Sequence, residues 1–339
     1  MKLVRLPGLI DCHVHLRDPG ATSKEDFQTG SKAALAGGFT QICDMPNNPI
    51  PTTSYERVIE KVNLAKQKAL CDICFYLGAD QDNFDQFSSC FNQVLGLKVY
   101  LNSTTGSLLI TDEKILERIF QFWNGTKPIL VHAEAETVDK VLQLVGKFNK
   151  KVHFCHLSLK SELESIIKAK KENLPITCEA TPHHLFLTEK DLKKLGPLGM
   201  MKPALRTQKD QDFLWDNLNW IDCVGSDHAP HTLTEKNSHN PPFGVPGLET
   251  TLGLLMTRLS VAEIKLKLYD NPKRIFNLDF QPETYIEVDP QFNWEIKNEN
   301  LYTKCAWSPF NGWSVKGKVI NVCFKGKKIF ANNKFTEVS

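Results

Sequence analysis

The sequence has no long apolar run and almost no imbalance of charge. No stretch reaches the roughly 18 consecutive apolar residues that a membrane-spanning helix needs, which disfavours a transmembrane protein. The 41 Lys and Arg residues nearly match the 39 Asp and Glu residues, for a formal net charge of +2. Such a balance gives no electrostatic reason to expect binding to nucleic acid or to a membrane surface.

A zinc-finger pattern is also missing, although the chain has 10 cysteines. Several of them, such as Cys43, Cys155 and Cys223, lie within apolar stretches that resemble strands. Reduced, buried thiols account for this distribution better than disulfides do. We therefore expect a cytoplasmic protein.

Short apolar strands alternate with helical patterns along most of the chain. This alternation is typical of βαβ units around a parallel sheet, and eight strands close a (β/α)8 barrel. The predicted strands are residues 8–16, 39–45, 72–77, 96–101, 128–132, 152–156, 175–179 and 221–226.

The sequence changes character after residue 275, where short strands with Gly and Asn turns replace the alternation. We predict an α/β protein of two parts. Residues 1–275 form a TIM-like (β/α)8 barrel that carries the catalytic site, and residues 276–339 form a small β-rich appendage packed on it.

The first predicted strand carries His13 and His15, which are two residues apart. Side chains of a strand alternate between its faces, so Leu9, Asp11, His13 and His15 are predicted to share one face. Two imidazoles on one face suit zinc and similar ions. Arg17 follows in the next loop, where its guanidinium suits a carboxylate. By itself the histidine pair fits a metal site and an ordinary strand core equally well.

Further candidate ligands stand at the carboxyl ends of other predicted strands, where barrel enzymes place their functional side chains. They are His132, His156 and Asp227, and the fourth predicted strand carries Lys98 within it. Lys98 lies in an otherwise apolar strand, and an unpaired buried ammonium is costly. It pairs with a carboxylate, or extends its amine to the surface, or has reacted with CO2 to give a carbamate that bridges two metal ions. Chance would rarely place all these groups at one rim, so the set favours a metal site.

These residues resemble the dihydroorotases of the amidohydrolase superfamily, most of all the dihydroorotase domain of the animal-type multifunctional protein of pyrimidine biosynthesis. The resemblance covers nearly the whole chain. It rests on the motifs HVHLRDPG (residues 13–20), MPN (45–47), GLKVYLN (96–102), VHAE (131–134), CH (155–156), SDHAPH (226–231), PFGVPGLE (242–249) and WSPF (307–310).

The resemblance implies an enzyme: a zinc-dependent cyclic amide hydrolase that reversibly cyclises N-carbamoyl-L-aspartate to (S)-dihydroorotate. It implies one zinc ion on His13, His15 and Asp227 and a second on His132 and His156, bridged by carboxylated Lys98. A hydroxide between the metals would be the nucleophile, and Asp227 would act as general acid and base. A third zinc would use Cys155 and Glu179, for which an inert core thiol and an ion pair are the alternatives.

The resemblance also implies how the substrate is held. Arg17, Asn47 and His231 would bind its carboxylate, and backbone groups near Lys202 and Gly244 would meet its ring amides. A flexible loop, residues 102–107, would close over the site with Thr104 and Thr105 at its tip. Animal members have Thr-Phe there, so water exclusion is expected to be weaker in this chain. Lys202 replaces an Arg that is usual in the family.

Three other histidines, His153, His184 and His228, are interpreted as structural or packing residues. Two rival functions stay open: another cyclic amidohydrolase (dihydropyrimidinase, hydantoinase or allantoinase) and an inactive scaffold domain. Arg17 with Asn47 favours a substrate that bears a carboxylate, and the full ligand set disfavours the scaffold. The expected partners are a second copy in a homodimer and, in a longer chain, carbamoyl-phosphate synthetase and aspartate transcarbamoylase domains.

Overall fold

The computed structural model describes residues 3–336, which form fourteen strands and thirteen α-helices. The strands are β1 Val4–Pro7, β2 Leu9–Val14, β3 Phe39–Asp44, β4 Asp72–Phe75, β5 Leu77–Gly78, β6 Leu97–Tyr100, β7 Ile129–His132, β8 Val152–Phe154, β9 Ile176–Ala180, β10 Cys223–Val224, β11 Tyr285–Glu295, β12 Ser314–Phe324, β13 Lys327–Ala331 and β14 Lys334–Phe335.

Strands β2 to β10 form the predicted barrel. All their pairings are parallel, in two sheets ordered β2-β3-β4 and β5-β6-β7-β8-β9-β10. Only Tyr76 separates β4 from β5, which are two halves of one barrel strand. A parallel bridge between Val14 and His228 joins the first strand to the segment after the last. Each of the eight predicted strands is therefore confirmed.

The helices alternate with the barrel strands, as βαβ units require. They are α1 Phe27–Ala36, α2 Tyr55–Lys68, α3 Gln86–Cys90, α4 Glu113–Phe122, α5 Glu136–Phe148, α6 Lys160–Lys171, α7 Pro182–Phe186, α8 Glu189–Leu195, α9 Gln208–Asp216, α10 Leu233–Lys236, α11 Thr251–Leu255, α12 Val261–Lys265 and α13 Asn271–Phe276. Helix α2 shows the local reason for their boundaries. Ser54 caps its first turn by accepting from the Arg57 N–H, and Lys66 and Lys68 stand at its negative end. None of the helices within residues 3–336 is long and apolar enough to cross a membrane.

The appendage is an antiparallel sheet ordered β1-β11-β12-β13-β14. It takes β1 from the start of the chain, which corrects the expectation that the C-terminal segment forms it alone. Only Gly8 separates β1 from β2, and a Cβ there would lie 2.0 Å from Thr40 Oγ1. Glycine therefore lets the chain pass closely from the appendage sheet into the barrel. The domain boundary at residue 275 stays a prediction.

Strand β2 does not keep a simple alternation. Its pairing with β3 shifts register between Leu9 and Ile10 and again between Asp11 and Val14. Cys12 packs inside the barrel beside Tyr76 and Leu130, whereas Leu9 belongs to the other apolar layer. The predicted common face of Leu9, Asp11, His13 and His15 is therefore wrong. The irregularity brings the adjacent residues Cys12 and His13 to the same buried carboxylate, Glu179.

Candidate active site

The first and last barrel strands bring His13, His15 and Asp227 together. His13 Nε2 lies 3.4 Å from Asp227 Oδ1, and His15 Nε2 lies 3.0 Å from the same oxygen. The backbone of Asp227 has φ +46°, a left-handed conformation that is uncommon for a residue with a side chain. Such conformations cluster at functional sites, where the surrounding structure holds them.

Oxygen acceptors fix the orientation of both imidazoles. His13 Nδ1 pairs with Glu179 Oε1, and His15 Nδ1 lies 2.6 Å from Asn47 Oδ1. With an oxygen acceptor at each Nδ1, Nε2 is the nitrogen left for a metal ion, which it coordinates once it has lost its proton. Both Nε2 atoms then face the Asp227 carboxylate.

His132 and His156 form a second pair of histidines at the same rim of the barrel. His132 Nδ1 lies 2.9 Å from His156 Nε2, and the rings of His13 and His156 are 5.2 Å apart. His156 Nδ1 is buried and has no hydrogen-bond partner among the described residues. One donor atom each from His13, His156 and Asp227 lies within 4.8 Å of the others. The predicted ligands of both metals thus converge on one place.

Lys98 lies beneath these histidines and is completely buried. Its Nζ donates to Cys155 Sγ at 2.9 Å and lies 5.1 Å from the centre of the Tyr100 ring. The ammonium group therefore hydrogen-bonds to a thiol rather than to a carboxylate. Cys155 and Glu179, the pair suggested for a third metal, also have donor atoms within 4.8 Å of each other and of His13.

The electrostatics of the site favour a bound cation. Burial would by itself lower the pKa of His13, but the Glu179 and Asp227 carboxylates raise it to about 10. Burial lowers the pKa of His15 to about 4. Burial would raise the pKa of the Asp227 carboxyl, but His13 and His15 keep that pKa below its ordinary value. The residues therefore fit a metal ion, because two ionised carboxylates and several buried imidazoles surround a position that a cation would neutralise.

A small cavity of about 30 Å³ opens above the histidines. It has room for about two water molecules, at ~10–15 Å³ each. Thr105 lies over it, because its carbonyl accepts from Asn47 Nδ2 at 2.9 Å and its Oγ1 donates to Phe243 O at 3.3 Å. A substrate can enter only if this loop moves. A larger cavity of about 520 Å³ lies between α11 and the appendage, and none of the predicted site residues lines it.

Arg17 also lines the cavity. Its Nε donates to Pro230 O at 3.1 Å, and its Nη2 lies 3.1 Å from His231 Nε2. Burial, together with the Arg17 and Lys24 cations, lowers the pKa of His231 to about 2. A neutral imidazole and a guanidinium thus stand side by side.

The other predicted substrate-binding residues are placed less directly. Asn47 already uses its carboxamide on His15 and Thr105. The Gly244 N–H donates to Met200 O at 3.0 Å, and Gly244 O accepts from Lys236 Nζ at 3.1 Å. Lys202 Nζ lies 5.1 Å from the centre of the Phe243 ring. Lys202 and Gly244 do line the cavity.

Sequence reasoning gave no role to Tyr100 and Phe243, which also line the cavity. The Tyr100 hydroxyl is buried and has no hydrogen-bond partner within residues 3–336. Its spacing from Lys98 could have revealed it, since residues two apart in a strand share a face. The histidines interpreted as structural lie in packed surroundings: His184 bonds Thr181 Oγ1 and Pro203 O, and His228 Nδ1 accepts from the Gly247 N–H at 3.1 Å.

Known proteins match this chain in sequence along most of its length. Residues 4–183 match the model of the amidohydrolase family. The chain is 46% identical over 335 residues to the "Multifunctional protein CAD" of Squalus acanthias, covering 96% of this chain and 15% of that protein. It is 34% identical to the dihydroorotase of Pyrococcus horikoshii, covering 97% of this chain and 81% of that enzyme.

Two solved structures have the same fold. One is the L-hydantoinase of Arthrobacter aurescens, with a TM-score of 0.92 and 22% identity over 98% of this chain and 87% of that one. The other is the inactive dihydroorotase-like domain of the Chaetomium thermophilum CAD-like protein, with a TM-score of 0.84 and 26% identity over 100% of this chain and 98% of that one. From the sequence relatives above, this chain belongs to the amidohydrolase family and, within it, to the dihydroorotases.

Proposed function

We propose that this chain catalyses the reversible cyclisation of N-carbamoyl-L-aspartate to (S)-dihydroorotate. One observation carries the choice of substrate: the Arg17 guanidinium lines the same cavity as His13, His15 and Asp227. A substrate with a carboxylate gains from a fixed cationic fork, whereas a neutral ring would leave that buried charge unpaired. The curated relatives named dihydroorotase support the same choice.

We further propose a two-zinc centre. His13, His15 and Asp227 would hold one ion, His132 and His156 the other, and a carboxylated Lys98 would lie between them. When bound, zinc supplies a Lewis acid that polarises the amide carbonyl and lowers the pKa of water. Cys155 and Glu179 would take part in a third site. The support for these assignments is the burial of Lys98 and the convergence of the histidines around Asp227.

The protein's own groups then have separate tasks. Asp227 is ionised. In ring opening it therefore accepts a proton from the attacking water and passes that proton to the departing ring nitrogen. Arg17 and His231 hold the substrate carboxylate and orient the ring. Thr104 and Thr105 cover the cavity and exclude water. In cyclisation the same proton travels in the reverse direction.

The rivals are a cyclic amidohydrolase for neutral rings and an inactive scaffold. The hydantoinase likeness shows the fold alone, since the identity is 22%. The likeness to an inactive domain is the reason to test the scaffold function as an alternative. Against it stands the complete set of predicted ligands around one point, which a scaffold does not need.

The wider setting is also a proposal. The chain spans 15% of the length of the multifunctional relatives it matches. We propose that it works in the cytoplasm as a homodimer, beside carbamoyl-phosphate synthetase and aspartate transcarbamoylase activities in a longer chain.

The test is a metal count on the purified protein together with hydrolysis assays on dihydroorotate, hydantoin and dihydrouracil. We expect at least two zinc ions per chain, with dihydroorotate turned over fastest, and loss of activity together with the rim zinc in Lys98→Ala. Faster turnover of hydantoin or dihydrouracil would replace the proposed substrate. A protein that stays inactive after zinc is added would be the scaffold.

A further inference from the structure

A second group of potential ligands lies inside the barrel, below the candidate active site. It consists of Cys12 on β2, His153 on β8, Glu179 on β9 and Cys223 on β10. All four side chains are completely buried. One donor atom from each lies within 4.8 Å of every other. We propose that these four residues form a structural site for zinc, separate from the centre at the rim.

The distances match those that a tetrahedral zinc ion imposes. With Zn–S bonds of about 2.3 Å, two thiolates on one zinc stand about 3.8 Å apart, and Cys12 Sγ lies 3.8 Å from Cys223 Sγ. An imidazole nitrogen and a carboxylate oxygen on one zinc stand about 3.3–3.5 Å apart, and His153 Nε2 lies 3.3 Å from Glu179 Oε2. Cys12 Sγ lies 3.2 Å from that same oxygen, close to the separation of about 3.5 Å for a sulfur and an oxygen ligand.

The surroundings of His153 favour the same interpretation. Its Nδ1 lies 2.8 Å from Thr177 Oγ1, and a donor bond to that hydroxyl leaves Nε2 free to coordinate. The Phe276 ring packs edge-on against the imidazole, with the ring centres 5.3 Å apart. His153, which the sequence led us to interpret as structural, is therefore assigned as a ligand.

The donor set also selects the ion and its role. Two thiolates, an imidazole and a carboxylate suit zinc better than calcium or magnesium, which prefer oxygen ligands. Four protein ligands leave no open position, so the ion would stabilise the fold rather than act on a substrate. Glu179 would connect the two centres, because its Oε2 belongs to this site and its Oε1 pairs with His13.

Zinc K-edge X-ray absorption on the purified, zinc-loaded protein tests the assignment. The proposal requires at least two zinc–sulfur bonds per chain at about 2.3 Å. The ligands proposed for the rim supply sulfur only through Cys155, so they account for one such bond at most. A spectrum with one zinc–sulfur bond per chain, or none, overturns the proposal whatever the activity of the enzyme.

Three single variants then locate the sulfur ligands. We expect Cys12→Ala and Cys223→Ala each to lose about one zinc per chain and the matching sulfur scattering. Cys155→Ala is the matched control, because it is equally buried but belongs to the other group, and it should keep two zinc–sulfur bonds. Loss of both bonds in Cys155→Ala, with no loss in Cys12→Ala, would contradict the assignment. So would an intact mass showing that Cys12 and Cys223 are joined as a disulfide, and the wild-type spectrum decides even if a variant fails to fold.

Discussion

At the scale of single residues, Arg17 determines which cyclic amide the site accepts. Its Nε donates to Pro230 O at 3.1 Å, so the guanidinium is already oriented before any substrate arrives. An oriented fork loses little entropy when it binds a carboxylate, which makes its contribution to specificity large.

Replacing Arg17 by Gln should therefore damage turnover of dihydroorotate selectively. A hydrogen bond to a charged group contributes about 1.5–3 kcal/mol, so kcat/KM for dihydroorotate should fall ~10- to ~150-fold. Turnover of dihydrouracil, which has no carboxylate, should change little. Arg57→Gln is the control, since Arg57 is exposed and pairs with Glu60 in α2. Equal losses on both substrates would show that Arg17 serves the structure instead.

The two buried tyrosines near the site offer a matched comparison. Tyr100 lines the cavity and its hydroxyl has no partner among the described residues, whereas the Tyr76 hydroxyl donates to Cys12 O at 2.9 Å. Tyr100→Phe should leave the melting temperature unchanged or higher and lower kcat/KM ~2- to ~10-fold, for a bond of about 0.5–1.5 kcal/mol to the substrate. Tyr76→Phe should instead reduce stability by about 1 kcal/mol. An unchanged kcat/KM in Tyr100→Phe would refute its contact with the substrate.

At this scale the sequence was a good guide to residue types and a poor guide to their orientation. The histidines and Asp227 could be selected because each stands at the end of an apolar strand, and Lys98 because it is a charged residue inside one. The break in the strand's alternation between Asp11 and Val14 could not be predicted, because it arises from pairing with β3. The same pairing puts Cys12 beside Glu179, a contact across 167 positions of sequence that no local pattern contains.

At the scale of elements, the loop over the cavity depends on Gly106. Its φ of +111° lies where side chains are rarely found, and a Cβ there would be 3.3 Å from Asn47 Cβ. Gly106→Ala should strain the closed loop by about 1–2 kcal/mol and lower kcat/KM ~5- to ~30-fold, with little change in melting temperature. Gly146→Ala in α5 is the control: it meets no atom within 4 Å and should add about 0.5–1 kcal/mol of stability. Full activity in Gly106→Ala would mean that closure does not need this conformation.

The start of α1 carries a pH-dependent link to the segment before β12. Asp26 caps the helix by accepting from the Thr29 N–H at 2.8 Å, and it pairs with Lys304 at 2.8 Å. Partial burial would raise the pKa of Asp26, but Lys304 and the Thr29 N–H hold it below the ordinary 3.8. A carboxyl with a lowered pKa stabilises the fold above about pH 3.8, and this contribution is lost as the pH falls through its pKa in the folded protein.

Asp26→Asn keeps the helix cap and removes the charge. We expect it to lower the free energy of unfolding at pH 7 by at most about 1 kcal/mol, the range for a partly exposed ion pair. The difference from the wild type should shrink below pH 3.8. Asp26→Ala, which also removes the cap, should cost about 1 kcal/mol more. Denaturant unfolding at pH 7 and pH 3.5 measures both, and a difference that grows on acidification would contradict the assigned sign.

Elements with a strong apolar run were predictable, and short ones were not. All eight barrel strands follow from their composition, but β1 has only four residues, one of them Arg5, and pairs with a strand some 280 positions away. Helices α7 and α10 have five and four residues, too few for a 3.6-residue period to appear. Their positions depend on tertiary contacts.

At the scale of the whole molecule, the proposed rim ligands come from strands on different sides of the barrel. His13 lies in the first barrel strand, and His15 follows that strand directly. Asp227 follows the last barrel strand, which lies beside the first where the barrel closes. His132 and His156 come from β7 and the segment after β8. A metal ion held by these groups would join distant parts of the chain, and its binding energy would contribute to the stability of the fold.

Removing zinc should therefore lower stability as well as activity. An ion that binds only the folded state adds about 4 kcal/mol when its concentration is ~1,000 times its Kd, so we expect chelation and dialysis to reduce the melting temperature by several degrees. Added zinc should restore the melting temperature and the turnover of dihydroorotate together. If the metal count falls to zero while the melting temperature stays constant, these residues form a barrel that is complete without metal, and the ions serve only the chemistry.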